Sequence, residues 1–222
     1  MVEVRDKEQL DELDMAMLAS ALMLAGVENP GAIIQWFSAL IPTFPEVQKK
    51  AQAEVDRVVG RDRLPTTDDE KNPLWLGTPH ATSEGFVYQD QLIPQDTMVI
   101  LNTWTMHHNP EKYPKPDLFN PDRYIDDSLT SAESDHSADP MKRDHWMFGV
   151  GRRVCPGMNL AQRVIWLAIS RMLWAFDMTE IPGEPIDRKD YDGKSGRSPV
   201  PFRIKVTPRH ANIARVLEGV AI

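Results

Sequence analysis

The only cysteine of the chain, Cys155, lies in the segment FGVGRRVCPG (148–157), directly before the strongest helical pattern of the sequence. That pattern covers residues 157–175, where apolar residues recur every three or four positions, as on the buried side of a helix. A thiolate at this place gains from the helix dipole and from the unpaired amides of the first turn. Arg152 and Arg153 add positive charge beside it. The sequence therefore predicts a turn that presents one sulfur atom at the start of a buried helix.

A lone cysteine has several readings. Most often it is a small apolar residue of the core. A nucleophilic cysteine needs a histidine base, and none of the six histidines has a spacing to Cys155 that indicates such a pair. One cysteine and scattered histidines also match no zinc-ligand spacing, which disfavours a zinc site.

The residues around Cys155 also suit a large, flat cofactor. Gly149, Gly151 and Gly157 let the backbone come close to such a group. Phe148 can cover it on the cysteine side, and an arginine can pair with an acidic edge. A thiolate, close backbone and a cation together are typical of a haem site.

Composition argues against several classes of protein. The 222 residues, 41% of them hydrophobic, can bury a core and form one domain or a large part of one. A net charge of −8 without a long basic run argues against nucleic acid as a partner. A single cysteine excludes an internal disulfide framework, which is typical of a reducing compartment.

The N-terminal region predicts no membrane segment within this chain. The longest apolar run, residues 15–27, is shorter than the roughly 20 residues that span a bilayer. Residues 1–14 hold six acids against two bases, the opposite of a signal peptide. Because a helical pattern begins only a few residues after Met1, we expect an N-terminal part to be missing.

The order of patterns predicts a mainly α chain with small β elements. The high apolar content of the first segment predicts a helix buried on most sides. In chain order the predicted segments are apolar helical stretches at 8–42, an amphipathic helix at 44–60, small β elements at 76–101, a short helix and a long loop at 102–145, the cysteine loop at 146–157, a helix at 157–176 and strands at 177–207.

The segment FGVGRRVCPG matches Phe-x-x-Gly-x-Arg-x-Cys-x-Gly, the haem-binding signature of the cytochrome P450 family, which the chain therefore resembles. Upstream, PDLFNPDRY (116–124) is similar to the family's Pro-x-x-Phe-x-Pro-x-Arg segment. LGTPHAT (76–82) and NTWTMHHNP (102–110) resemble the stretch before that segment. The resemblance covers about residues 8–207 and implies the C-terminal, haem-binding half of the cytochrome P450 fold, in an incomplete form.

The resemblance assigns roles within the cysteine loop. Cys155 corresponds to the thiolate ligand of the iron of haem (iron protoporphyrin IX), and Arg153 to the partner of a haem propionate. Phe148 corresponds to the ring beside the sulfur, and Gly151 and Gly157 to the glycines that permit the close backbone.

Three further residues are assigned by the same resemblance. His80 stands where the family often has a His or Arg on a propionate, with an ordinary loop histidine as the alternative. AGVEN (25–29) resembles the oxygen-binding helix, in which Glu28 matches the acid of the proton-delivering acid–alcohol pair. Asn29 replaces the alcohol, and an amide can hold a water but cannot relay a proton as a hydroxyl does.

Pro30 leaves two structures open for this stretch. In a continuous helix, Pro30 leaves the Gly26 carbonyl unpaired and bends the helix. Alternatively one helix ends here, Asn29 caps a second one and Pro30 is its first residue.

The chain departs from the family pattern between Trp75 and Leu76, where the family's Glu-x-x-Arg helix is absent. That pair would hold Arg123, so we expect Arg123 to be a buried charge without partners, a defect of about 3–5 kcal/mol if nothing else compensates. The one Glu-x-x-Arg present, Glu54 and Arg57, lies in a segment that resembles the preceding helix. It is predicted to be a surface pair three residues apart.

The resemblance implies a haem-thiolate monooxygenase that inserts one oxygen atom of O2 into a small apolar organic substrate. It implies electrons from NADPH through a reductase, for which Lys142, Arg143 and Arg152 form part of a docking face or only a solvated basic cluster. LGT (76–78) and SPVPF (198–202) resemble segments that line the family's pocket.

The same resemblance places the parent protein at the endoplasmic reticulum membrane, on its cytosolic face, anchored through the missing N-terminal part. The chain itself is then a fragment that we expect to hold haem weakly and to be inactive alone. The alternative functions are a non-catalytic haem-binding or interaction protein of the same fold, and a truncated product without function.

Overall fold

The computed structural model describes residues 7–65, 80–116, 118–126, 129, 133–134, 137, 139–192 and 198–219. The predicted class, mainly α with small β elements, is confirmed. The helices are α1 (Glu12–Leu40), α2 (Pro45–Val58), α3 (Thr103–His107), α4 (Met158–Ala175) and α5 (Asn212–Gly219). The strands are β1 (His80–Ala81), β2 (Phe86–Tyr88), β3 (Gln91–Ile93), β4 (Met98–Val99), β5 (Phe176–Glu180) and β6 (Ile204–Pro208). The chain divides into two compact units, Met1–Glu70 with Arg163–Ile222, and Lys71–Gln162.

Helix α1 begins at a capping box and continues through a proline. Asp11 accepts the N–H of Asp14 over 2.7 Å, and the Asp14 carboxylate accepts the N–H of Asp11 over 3.1 Å. The helix then runs through Pro30 to Leu40, so the continuous helix is the correct one of the two alternatives. Because Pro30 has no N–H, it cannot bond the carbonyl of Gly26.

The first half of α1 is exposed, which corrects the prediction of a helix buried on most sides. Burial begins only at Pro30 and continues at Ala32 and Ala39. The apolar content of a helix limits how much apolar surface it can bury. The elements that pack against the helix determine how much of that surface is covered. Large apolar side chains that are 46–69% exposed are Leu13, Met17, Leu18, Leu22, Met23, Leu24 and Val27.

The continuous helix also bears on the membrane question. By length and composition alone, Glu12–Thr43 could cross a membrane, a test that the core helix of a soluble protein also passes. The expectation of no membrane segment rested on residues 15–27 alone, and the helix is longer than that run.

The core of the first unit lies where α2 meets the end of α4, the paired strands β5 and β6, and α5. Ile41, Leu173 and Met178 form one buried cluster, and Trp174 packs with Ala175 and Ile213 in a second. Strands β5 and β6 pair antiparallel along their whole length.

Two buried glutamines on α2 bind the backbone of β5. The Gln48 amide donates to the Met178 carbonyl and accepts the Met178 N–H, both over 2.9 Å. Gln52 donates to the Phe176 carbonyl over 3.0 Å. These side chains satisfy backbone groups that β6 does not reach, as buried polar groups require.

The second unit contains the short strands and α3. Strands β2 and β3 form a hairpin within the predicted β region, with Gln89 and Asp90 at φ of 48° and 62° in its two-residue turn. Strand β1 pairs antiparallel with β4. Helix α3 is capped by Asn102, whose side chain accepts the Thr105 N–H over 3.1 Å.

Candidate functional site

Cys155 lies in a tight loop that backbone hydrogen bonds close. Its N–H donates to the Phe148 carbonyl over 2.8 Å, and the Gly149 N–H donates to the Trp146 carbonyl over 3.2 Å. Between these bonds the chain makes a single 3-10 turn over Gly151–Arg153. The loop shape is therefore held by its own backbone.

The glycines of the loop have two different roles. Gly149 has a φ of +78° and Gly151 of +66°, the left-handed region in which a side chain is costly. A Cβ on Gly157 would lie 3.9 Å from the Cys155 Sγ, at ordinary contact distance. Two glycines thus turn the chain, and the third leaves space beside the sulfur.

The sulfur-bearing residue directly precedes the first turn of α4. The Met158 N–H donates to the Cys155 carbonyl over 3.3 Å, and the Ala161 N–H donates to the Gly157 carbonyl over 2.9 Å. Cys155 is half-buried and its thiol is free. The amides at the start of a helix favour negative charge, so this place suits a thiolate.

The other predicted residues of the loop differ in exposure. Phe148 is buried, and its ring centroid lies 5.5 Å from that of His145 in a tilted arrangement. Arg152 and Arg153 are exposed, and neither forms an ion pair within the part of the chain that the structure describes. Their guanidinium groups are therefore available to an acidic partner.

These features fit a haem bound through sulfur. A haem iron takes an axial ligand such as a thiolate, and apolar cover at the sulfur and hydrogen bonds tune it. Cys155 would supply the sulfur, Phe148 the buried ring, and Arg153 a cation for a propionate. Over the described ranges, no group of three or more His, Cys, Asp or Glu could hold a bare metal ion.

The cysteine loop brings together five of the predicted site residues: Phe148, Gly151, Arg153, Cys155 and Gly157. His80 belongs to the same unit, on β1, where it is half-buried and lies opposite Val99 of β4. Glu28 and Asn29 are half-buried residues of α1, in the first unit.

The two predicted pocket segments have different outcomes. The segment at 76–78 and the junction between Trp75 and Leu76 lie outside the described residues. At 198–202, Val200 to Phe202 line a surface groove of about 390 Å³ together with Glu184 to Asp187. Arg203 also lines the groove, so three of its eight lining residues, Glu184, Asp187 and Arg203, are charged.

Arg123 is not the buried charge without partners that the sequence predicts. It is half-buried and donates to three backbone carbonyls: to Pro114, to Lys115 over 2.6 Å and to Leu118 over 2.9 Å. Lys115, at a φ of +54°, turns the chain between two of these carbonyls. The prediction considered acidic partners only, whereas five N–H donors can also be satisfied by carbonyls.

The surface pair on α2 is confirmed. The Arg57 guanidinium donates to both carboxylate oxygens of Glu54, with 3.1 Å for the Nε contact. Both side chains are mostly exposed. The role of the family's buried Glu-x-x-Arg pair therefore does not pass to these residues.

Sequence reasoning missed the buried residues that precede the cysteine loop. The Tyr113 hydroxyl donates to the Asp144 carbonyl over 2.6 Å, and burial raises the pKa of Tyr113 well above its usual value. The Asp144 N–H donates to the Ser134 hydroxyl over 2.6 Å. Such contacts join loops far apart in sequence, so no periodic pattern indicates them.

Comparison with known proteins gives matches along most of the chain. The family model for cytochrome P450 matches residues 1–206. Cytochrome P450 monooxygenase polD of Polytolypa hystricis is 35% identical over 98% of this chain and 45% of its own length. Cytochrome P450 monooxygenase virE of Hypocrea virens is 39% identical over 86% of this chain and 39% of its own length. The chain spans less than half the length of these curated relatives.

A solved structure is similar as well. A zebrafish cytochrome P450, determined with abiraterone, has a TM-score of 0.75 and 26% sequence identity. The similarity covers 90% of this chain and 50% of that structure.

Proposed function

Because the chain belongs to the cytochrome P450 family, we propose that it carries the haem-thiolate site of a monooxygenase, with Cys155 as the ligand of the iron. The resemblance predicted from the cysteine loop is confirmed, and the fold is a partial cytochrome P450 fold. The observation that carries the proposal is the position of Cys155, half-buried at the start of α4 with its N–H on the Phe148 carbonyl.

The loop residues act on the haem in different ways in this proposal. Arg153 pairs with a propionate, and Phe148 keeps water from the sulfur. Gly151 and Gly157 would permit the close backbone, and His80 would bind a propionate. When bound, the haem supplies the chemistry that activates O2.

Glu28 and Asn29 act from α1 in the proposed reaction. Glu28 would be the acid of the proton-delivering pair, and the Asn29 amide would hold a water by hydrogen bonds. Because an amide cannot relay a proton as a hydroxyl does, that water would have to carry the proton. Pro30 has no N–H to donate to the Gly26 carbonyl, so that oxygen can serve as a further acceptor for the water.

The proposed substrate and redox partner are those that the family resemblance implies. The substrate is a small apolar organic molecule. Electrons come from NADPH through a reductase that docks near Lys142, Arg143 and Arg152. In the docking cluster, Arg143 also donates to the Ser137 carbonyl over 3.1 Å, which fixes its side chain.

The proposal also covers the longer parent enzyme and its location in the cell. Because the chain spans less than half the length of its relatives, we take it as part of a longer enzyme that is anchored at the endoplasmic reticulum membrane. On its own it then holds haem weakly and does not turn over. A non-catalytic haem-binding protein is the second candidate, and Asn29 in place of the alcohol favours it.

The reduced carbon monoxide difference spectrum of the 222-residue chain, titrated with haem, tests the proposal. We expect a strongly red-shifted Soret band, typical of thiolate ligation, at low haem occupancy. Because the chain has one cysteine, such a band identifies Cys155 as the ligand without a mutation. The same chain with Cys155 alkylated is the control and is expected to lack the band.

Two outcomes would contradict the proposal: a Soret band typical of histidine ligation, and no bound haem at any haem concentration. Product formation with NADPH and a reductase separates the two candidate functions. Turnover of an apolar substrate favours the monooxygenase, and a thiolate band without turnover in the longer enzyme favours the haem-binding protein.

A further inference from the structure

A histidine on α3 forms a hydrogen bond with the backbone at the start of the cysteine loop. The His107 Nε2 accepts the N–H of Trp146 over 3.0 Å, between residues 39 positions apart. Trp146 is buried, so this N–H has no ready replacement in water. The bond therefore joins the short helix directly to the residue at which the loop begins.

The surroundings of His107 keep its ring neutral, so that one ring nitrogen can accept a hydrogen bond. Tyr113 packs edge-on against the ring at 6.2 Å, and the Trp146 ring lies at 5.9 Å. Burial above all, and then the electrostatic effects of the neighbouring His145, His108 and Lys112, lower the pKa of His107 to about 4. At neutral pH the ring is neutral, and its proton sits on Nδ1 because Nε2 accepts.

Lys112 contacts the side chain of Trp146. Its ammonium group lies 4.4 Å from the centre of the Trp146 ring and donates to the carbonyls of Met141, over 3.1 Å, and Arg143. A cation over an aromatic face adds to packing. Trp146 is thus held at its backbone by His107 and at its side chain by Lys112.

From Trp146 a series of backbone bonds leads to the cysteine. The Trp146 carbonyl accepts the Gly149 N–H over 3.2 Å, which places Phe148 inside a turn. The Phe148 carbonyl then accepts the Cys155 N–H over 2.8 Å. A shift of Trp146 therefore moves the turn, the buried ring and the acceptor of the cysteine amide together.

We propose that His107 is a positioning residue of the cysteine loop, which fixes the Cys155 sulfur through the Trp146 backbone. The consequence at an iron rests on the proposed function, in which Cys155 is the ligand. The effect on the loop does not rest on it, because the sulfur can be followed without haem.

The single cysteine allows a direct test in the full, haem-free chain. We measure the rate at which iodoacetamide alkylates Cys155. Circular dichroism and the unfolding midpoint show whether each variant keeps the fold. His107→Phe keeps a ring against Tyr113 and Trp146 but removes the acceptor. We expect it to raise the alkylation rate about tenfold, as expected for the loss of one buried hydrogen bond.

Two further variants separate positioning from general destabilisation. His107→Gln restores an acceptor at a similar distance from the backbone and is expected to bring the rate back towards that of the wild type. His108→Phe changes the adjacent histidine, which stacks on the exposed Trp104 ring, and is expected to leave the rate unchanged. A wild-type rate in His107→Phe, or an equal rise in His108→Phe, would overturn the proposal.

Hydrogen exchange of the wild-type chain decides the question if His107→Phe does not fold. The amides of Trp146, Gly149 and Cys155 are expected to exchange with one common opening rate, because their bonds lie in series. Independent rates would overturn the proposal. Since both measurements are made without haem, their failure is distinguishable from failure of the proposed iron ligand.

Discussion

Replacing Trp174 by alanine is expected to lower the free energy of unfolding by about 3–5 kcal/mol. Trp174 is 0% exposed and packs with Ala175 and Ile213 in the core of the first unit. Its indole N–H donates to the Gly60 carbonyl over 2.8 Å, and its ring meets that of His210 edge-on at 4.6 Å. The truncation removes these contacts and leaves a cavity. Denaturant unfolding followed by circular dichroism measures the loss.

Two variants make the measurement specific. Trp104→Ala removes the same side chain at a position that is 66% exposed, and is expected to change stability by less than about 0.5 kcal/mol. Trp174→Phe keeps an aromatic ring but loses the N–H bond to Gly60, for which we expect a cost of about 1–2 kcal/mol. Equal effects of the two alanine variants would contradict the burial of Trp174.

Arg209→Met is expected to lower the free energy of unfolding by about 3 kcal/mol. The Arg209 guanidinium binds both carboxylate oxygens of Asp56, over 3.0 and 2.9 Å, and the carbonyls of Leu173 and Trp174, over 3.0 and 3.2 Å. Its side chain is only 11% exposed. Methionine fills the space of the stem but leaves the carboxylate with Arg61 as its remaining cation, at 3.1 Å. Arg57→Met, which breaks an exposed pair with Glu54, is the matched control and should cost less than about 1 kcal/mol.

The same variant should change the dependence of stability on pH. Burial by itself raises the pKa of Asp56, but hydrogen bonds from Arg209 and Arg61 outweigh it and hold the pKa below its ordinary value of 3.8. Asp56 therefore stabilises the fold above that value and loses its contribution as the pH falls through its folded-state pKa. Unfolding curves between neutral and acid pH should show a smaller acid loss in Arg209→Met. An unchanged acid loss would exclude the Asp56–Arg209 pair as its source.

The cysteine loop and the helix after it could be predicted from sequence because their chemistry is local. A fixed spacing of Phe, Gly, Arg and Cys sets the turn, and apolar periodicity sets α4. Pro45 in the first turn of α2 and Gly60 just after its end mark that helix in the same way. In each case, residues close in sequence determine the structure.

The remaining features depend on contacts between distant segments. The stretch at Pro30 fits a bent helix and a pair of helices equally well by local preference, and the structure has one helix. Arg123 finds backbone carbonyls that no charge pattern reveals. The His107 bond to Trp146 joins the end of α3 to the start of the cysteine loop, and nothing in the sequence around either residue indicates it.

The two glutamines on α2 have a consequence for aggregation. A strand with a free edge can recruit another strand, and proteins block such edges with cover, Lys or Pro. Gln48 and Gln52 occupy backbone groups of β5 that β6 does not reach, so an incoming strand finds those groups taken. On β6 the sequence itself carries Lys205 and Pro208, two residues that discourage edge-to-edge addition. The β5–β6 sheet is therefore protected on both strands against growth into a cross-β assembly.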